Sequence, residues 1–200
     1  APPADAEIAL MLNRFIADRR YQLAFLAWLH FLPEERQADL RYVHNGDFEW
    51  PISNLPFDWS IAPVRGAATR IAEEPEGNHI LEVEFANTRV PYRHVAKLLV
   101  LPPGSYHFSG RQKSESLRTE RGMTWRIFCA DDEKRTLAST PLLLGSVPWR
   151  RFDVSFDVPQ TGCSAQWLRL ELSVRAVLDQ EVGGTASYDA LSIERAAVTN

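Results

Sequence analysis

Cysteine is scarce in this chain of 200 residues: only Cys129 and Cys163 occur, and their spacing matches no zinc or thioredoxin pattern. Two readings of the pair stay open, two buried free thiols or one disulfide, which would need an oxidising compartment. Long apolar runs are missing too. No stretch of about 18 consecutive apolar residues is present, which excludes a membrane-spanning helix. Basic runs are likewise absent; the arginines are scattered and the formal net charge is −4. That balance argues against a nucleic-acid partner, which would call for a basic face. There is no G-x-S-x-G, no H-E-x-x-H and no glycine loop of the phosphate-cradling kind. The five histidines show no ligand spacing, and nothing points to catalysis. The chain opens on Ala1-Pro2-Pro3, which reads as a mature or excised segment, so a missing signal peptide carries no message about export.

What is present divides into two unequal parts, 1–40 and 41–200. In the first, Ile8, Leu12, Phe15 and Ile16 share one helical stripe, and Asp18-Arg19-Arg20 breaks it. The next segment, YQLAFLAWLHFLPEE, is apolar almost all round and closes at Pro33. A helix that is apolar on every side must be covered on every side. This hairpin should therefore pack on the following domain, on a protein partner or on preceding helical repeats. Its Arg20-Tyr21, Ala24, Trp28-Leu29 and Pro33 resemble the end of a tetratricopeptide-type unit.

From residue 41 the period changes to two. HILEVEF, MTWRIFCA, FDVSFDV and WLRLELSV alternate apolar and polar positions, and AKLLVL is a continuous apolar run. Glycine, proline and aspartate turns separate nine to eleven such segments, which predicts an all-β sandwich. HNGDFEWPISNLPFDWSI (44–61) cannot be helical, because Pro51 and Pro56 each delete a backbone donor. It reads as the first strand and rim loop of that sandwich.

Several phrases in this order carry a family resemblance: NGDFE, Trp59, LPPGSYHFSG, Trp149 to Pro159, WLRLEL and the closing YDALSIE. Together they resemble the jelly-roll carbohydrate-binding modules of the galactose-binding-like superfamily, over residues 42 to 195. The resemblance implies a mainly β fold, a jelly-roll β-sandwich preceded by a short α-helical hairpin. It also implies a structural calcium ion held by Glu49 (or Asp47) and Asp189, since Ca²⁺ gathers carboxylates and carbonyls. The alternative is that these acids merely tie the first and last strands by hydrogen bonds.

Sugar sites of this kind set aromatic rings against a pyranose and read its hydroxyls with polar side chains. Trp50 and Trp59, flanking the proline-rich loop, and Tyr92 in TRVPYRH are the aromatic candidates. Trp28, Trp125 and Trp149 read as packing, while Trp167 is out of phase with Leu168-Leu170-Leu172. Were their strands neighbours, Arg111 (with His107 and Ser109), Arg126, Arg169 and Glu171 would line one groove. Arginine grips carboxylates, so such a groove would suit an acidic sugar such as a uronic acid; the same residues also suit a plain solvated face. A glycosidase pair would require two facing carboxyls, for instance Glu84 opposite Glu171. The expectation is a non-catalytic module that docks a larger exported, periplasmic or envelope-associated bacterial protein on a polysaccharide or oligosaccharide. The alternative is a structural or protein-interaction sandwich without sugar binding.

Overall fold

The computed structural model describes residues 5–38 and 40–197. Helix α1 (Asp5–Ala17) ends where Arg19 takes a left-handed φ of 57° and the Arg20 amide reaches back to the Phe15 carbonyl at 2.8 Å, a glycine-free version of a common helix stop. Helix α2 (Tyr21–Phe31) ends before Pro33, with Leu32 already extended, and a single turn, α3 (Glu34–Gln37), follows.

Ten strands come next: β1 (Ser60–Ile61), β2 (Ala67–Glu73), β3 (His79–Arg89), β4 (Val95–Leu99), β5 (Gly104–Thr119), β6 (Met123–Cys129), β7 (Asp132–Ser139), β8 (Gly145–Val158), β9 (Gln166–Leu172) and β10 (Glu181–Arg195). They form two antiparallel five-stranded sheets, β1-β4-β9-β6-β7 and β2-β3-β10-β5-β8. Without β1 and β2, the chain crosses between sheets at almost every connection, which is a jelly roll. The expected class, a mainly β sandwich behind a short helical region, is the one observed.

The alternating strands place their apolar positions between the sheets, as a sandwich requires. In β9, Leu168, Leu170 and Leu172 point inward while Trp167, Arg169 and Glu171 face out. Trp125 lies at the centre, 5.6 Å from the Trp59 ring and 5.4 Å from Tyr188. Lys97 is also in this core. Its ammonium donates to the Phe57 carbonyl at 2.7 Å and lies 5.1 Å from the Trp59 ring centre. Burial lowers its pKa to about 8, with Asp58 opposing the fall.

Of residues 44–61, expected to hold the first strand and its rim loop, 44–59 are turns and loop and only Ser60–Ile61 pair as a strand. Asn45 and Phe48 both have positive φ, 53° and 58°, which regular extended backbone does not adopt. Asn45 replaces ladder bonds with its own side chain, exchanging two 2.9 Å hydrogen bonds with the Trp50 backbone. Gly46 is needed for contact: a Cβ there would lie 1.9 Å from the Leu191 carbonyl oxygen, and the Leu191 amide donates to Gly46 O at 2.8 Å. The Asn-Gly pair thus fastens the entrance of the sandwich to its final strand.

The hairpin finds its cover on the sandwich. Leu12, Ala24, Trp28 and Tyr21 bury against Phe57, Leu98 and Ala165, forming a second hydrophobic cluster outside the first sheet. Its outer side leaves Leu10 and Leu26 exposed at 76% and 60%. Beneath it, Cys129 and Cys163 form a disulfide across 34 residues, which decides between the two readings of the cysteine pair. The bridge joins the end of β6 to the turn before β9, so it braces the platform on which the hairpin sits.

Candidate functional site

The hairpin covers one end of the outer face of the β1-β4-β9-β6-β7 sheet, over Leu98 and part of Trp167. Beyond it the face stays open and carries charge. Arg126 and Arg169 are direct cross-strand partners on β6 and β9, an arrangement that like charges disfavour unless something neutralises them. Two glutamates do so. Glu133 Oε1 accepts from Arg169 Nη2 at 2.6 Å and from Arg126 Nη2 at 3.3 Å. Glu171 Oε2 accepts from Arg169 Nε at 2.9 Å, and its Oε1 lies 3.0 Å from Arg126 Nε, an ionic contact rather than an aligned bond. Both guanidinium groups also cover Phe128, 4.4 and 4.6 Å from its ring centre, a cation–π arrangement that fixes their height above the sheet. The Arg169 hydrogen bond is the main reason that the Glu133 carboxyl is held below the ordinary range.

The sequence candidates divide in space. Arg126 and Glu171 meet here, as expected of one groove, but Arg111 does not join them. It lies on β5, in the other sheet, facing away on the far side of the sandwich. There its guanidinium sits 4.8 Å from the Trp149 ring centre and 3.5 Å from Asp189. Glu84 and Glu171, which a glycosidase would require to face each other, are separated in the same way, on β3 and β9 of opposite sheets. Trp59 and Tyr92 are corrections too. Trp59 is 0% exposed and donates from Nε1 to the Asn45 carbonyl at 2.7 Å. Tyr92 is equally buried, its hydroxyl 2.8 Å from Thr69 Oγ1, and burial pushes its pKa up. Neither presents a ring to a ligand. Trp50 is 39% exposed and carries the Arg36 guanidinium 5.1 Å over its ring.

At the expected calcium corner, Glu49 accepts from the His79 amide at 2.9 Å and contacts His79 Nδ1 at 2.7 Å; the amide bond is the chief cause of its lowered pKa. Asp189 is buried, which raises its pKa, and it accepts from the Ala190 amide at 2.6 Å. The Asn78 amide and Arg111 also face its second oxygen. Donors and a cation thus surround these acids, and no group of three or more His, Cys, Asp or Glu suited to a metal occurs among the described residues. Calcium draws on six or more oxygens, backbone carbonyls included; as arranged here Glu49 and Asp189 are each held by hydrogen-bond donors, and the charge of Asp47 acts on Asp189 as well.

Glu133 and Phe128 escaped the sequence reading as site residues. Glu133 belongs to the charged run Asp131–Arg135, which looks like a solvated turn. Phe128 did leave a signal, an aromatic in phase with Arg126 on the polar face of β6.

No family model matches the chain, and no curated protein matches it. Among solved structures, one titled as the structure and function of CBM4 superposes with a TM-score of 0.54 at 16% identity, covering 77% of this chain and 99% of its own. A xylan-binding domain from CBM 22 gives 0.51 at 15% identity, covering 81% and 99%. The enzymatically active domain of tailspike protein 4 from bacteriophage CBA120 gives 0.50 at 14%, covering 78% of this chain and 21% of that one. The chain shares the β-sandwich fold of carbohydrate-binding modules.

Proposed function

We propose that this chain is a non-catalytic module that docks the protein containing it on a polysaccharide through the open outer face of β9, β6 and β7. One observation carries the reading: Arg126, Arg169, Glu133 and Glu171 form a fixed lattice of alternating donors and acceptors over Phe128. Sugar hydroxyls both donate and accept, and a lattice already held in place loses little entropy on binding. The hairpin and Trp167 form a wall along one side. Two arginines against two glutamates cancel in charge, so the lattice suits a neutral polysaccharide better than the uronic acid that the arginines alone would suggest. The lowered Glu133 carboxyl also speaks against a glycosidase, whose general acid needs the opposite shift.

The disulfide accords with an exported, periplasmic or envelope location. The exposed Leu10, Leu23 and Leu26 supply a surface on which a protein partner or preceding helical repeats would pack. Affinity electrophoresis through gels containing neutral or acidic polysaccharides tests the docking. Retardation by a neutral glucan or xylan, lost in Arg169→Ala and Glu171→Ala variants that keep the native circular dichroism, is the expected result. Unretarded migration in every gel, with folded protein, would sink the reading.

A further inference from the structure

The hairpin packs over Leu98, near the finish of β4. Where β4 starts, at the opposite end of the sandwich, the strand registers bring five segments together: 62–66, 89–94, 118–122, 140–144 and 173–181. Backbone hydrogen bonds tie them to one another. The Ser173 amide donates to Gly122 O and the Val90 amide to Gln180 O, each at 2.9 Å, while Met123 and Leu143 exchange two bonds of 2.9 Å.

Of the eleven large hydrophobic side chains exposed among the described residues, five are here: Leu142, Leu144, Val174, Val177 and Leu178. Single exposed hydrophobics need no explanation, but their concentration at one place does. The exposure is built in. Leu143 is buried and bonded to Met123, and its neighbours on either side are turned out. In the 3₁₀ turn Val177–Gln180, Asp179 accepts from the Arg175 and Ala176 amides at 2.9 and 3.2 Å, and Val177 and Leu178 stand 65% and 68% exposed at the tip.

Arginines scattered in sequence are gathered by the fold at the same end. The five segments hold Arg65, Arg89, Arg93, Arg118, Arg121 and Arg175 against three acids, Glu120, Asp179 and Glu181, in a chain whose net charge is −4. Among the described residues none of these six arginines forms an ion pair. Arg118 donates to the Asn87 side chain. Arg121 and Arg175 act on Asp179, and Arg93 on Glu133, only through space. Sugar rings and unpaired bases both call for an aromatic platform, and Tyr92, the one Phe, Tyr or Trp of these segments, is buried. Apolar tips on separate loops with a surplus of arginine suit a surface that is fluid, apolar within and anionic outside. Each tip enters on its own, and the guanidinium groups stay at the level of the phosphates, which they grip bidentately. We propose that this end of the sandwich docks on an anionic lipid bilayer, with Val177 and Leu178 inserted and the arginines on the headgroup phosphates. The proposal stands apart from sugar docking, whose residues lie on the open face.

Flotation of the whole chain with vesicles of phosphatidylcholine, or of phosphatidylcholine and phosphatidylglycerol in equal parts, tests it. The protein should float with the mixed vesicles and not with phosphatidylcholine alone, and added salt should weaken the binding. Arg175→Gln should lower the partition coefficient about fivefold, and the double change Val177→Ser, Leu178→Ser about tenfold, in variants that keep the native circular dichroism. The emission of a tryptophan introduced by Leu178→Trp should shift to the blue on the mixed vesicles. Leu10→Ser with Leu26→Ser on the hairpin, and Arg169→Ala on the open face, should float as the wild type does. Absence of flotation with the mixed vesicles overturns the proposal, as does flotation that survives both loop variants or is lost with Leu10 and Leu26. Binding that soluble polyphosphate abolishes and the serine variant retains would overturn it too, assigning the arginines to a soluble polyanion.

Discussion

A Lys97→Met substitution removes an ammonium from the core without emptying its volume. Burial has lowered that amine from 10.5 to about 8, a gap that corresponds to about 3 kcal/mol. Two contacts offset part of any gain: the hydrogen bond to Phe57 O, worth about 1 kcal/mol, and the cation–π contact with Trp59, worth about 1 kcal/mol. Methionine should therefore stabilise the protein by about 1 kcal/mol at pH 7. The sign with pH is set by the direction of the shift. A depressed folded pKa means that the wild type regains stability as pH rises from about 8 to 10.5, where the unfolded chain still holds a proton that the folded chain has released. Urea titrations of both proteins at pH 7, 8, 9 and 10.5 should show the advantage of the variant shrinking and reversing, to about 2 kcal/mol in favour of wild type. Other titrations cancel in the difference. A difference that stays flat from pH 7 to 10.5 would refute the assignment of a charged, strained ammonium to this position.

Three further outcomes are expected. Reducing the Cys129–Cys163 bridge, or replacing both residues by alanine, releases a loop of 34 residues, which costs about 4 kcal/mol by chain entropy and lowers the melting temperature by roughly 10 °C; calorimetry with and without reductant checks this. Gly46→Ala, whose Cβ would collide with the Leu191 carbonyl, should cost about 2 kcal/mol or more in denaturant titration, because backbone cannot yield as a side chain end does. Chelator or added calcium should leave the melting temperature unchanged, and a rise of several degrees with calcium would show that the Glu49–Asp189 corner rearranges to take the ion.

The period-two pattern was enough to predict the sandwich, and in β9 and β6 it also assigned each residue to the inside or the outside correctly. It could not assign a strand to a sheet. Arg111 and Arg126 both alternate outward from the core, yet a sandwich has two outsides, and strand order decides which one a residue sees. The same ambiguity made Glu84 a conceivable partner for Glu171. Trp59 was misplaced for another reason: a proline-rich segment has no periodicity from which to read burial, and the hydrogen bond from its indole to Asn45 O closes over 14 residues of irregular chain. Asn45-Gly46 was readable as a turn but not as a fastening, since the demand for glycine comes from Leu191, far away in sequence. Three of the four members of the charged lattice were visible as Arg126, Arg169 and Glu171. Its fourth member came from β7, where a register shift between Phe128 and Cys129 brings Glu133 over the face, and a bulge of that kind leaves no mark on alternation.

The hairpin and the sandwich keep separate hydrophobic clusters, one centred on Trp28 and Phe57 and the other on Trp125. The hairpin cluster can dissolve while the sandwich core stays, but not the reverse, because Phe57, Leu98 and Ala165 of the sandwich complete it, so the molecule has a weaker cooperative unit resting on a stronger one. Amide hydrogens of α1 and α2 should exchange through a smaller opening free energy than those of β5 and β10, which pair with each other along most of their length. The disulfide belongs to the stronger unit, so the surface beneath the helices outlasts the helices themselves.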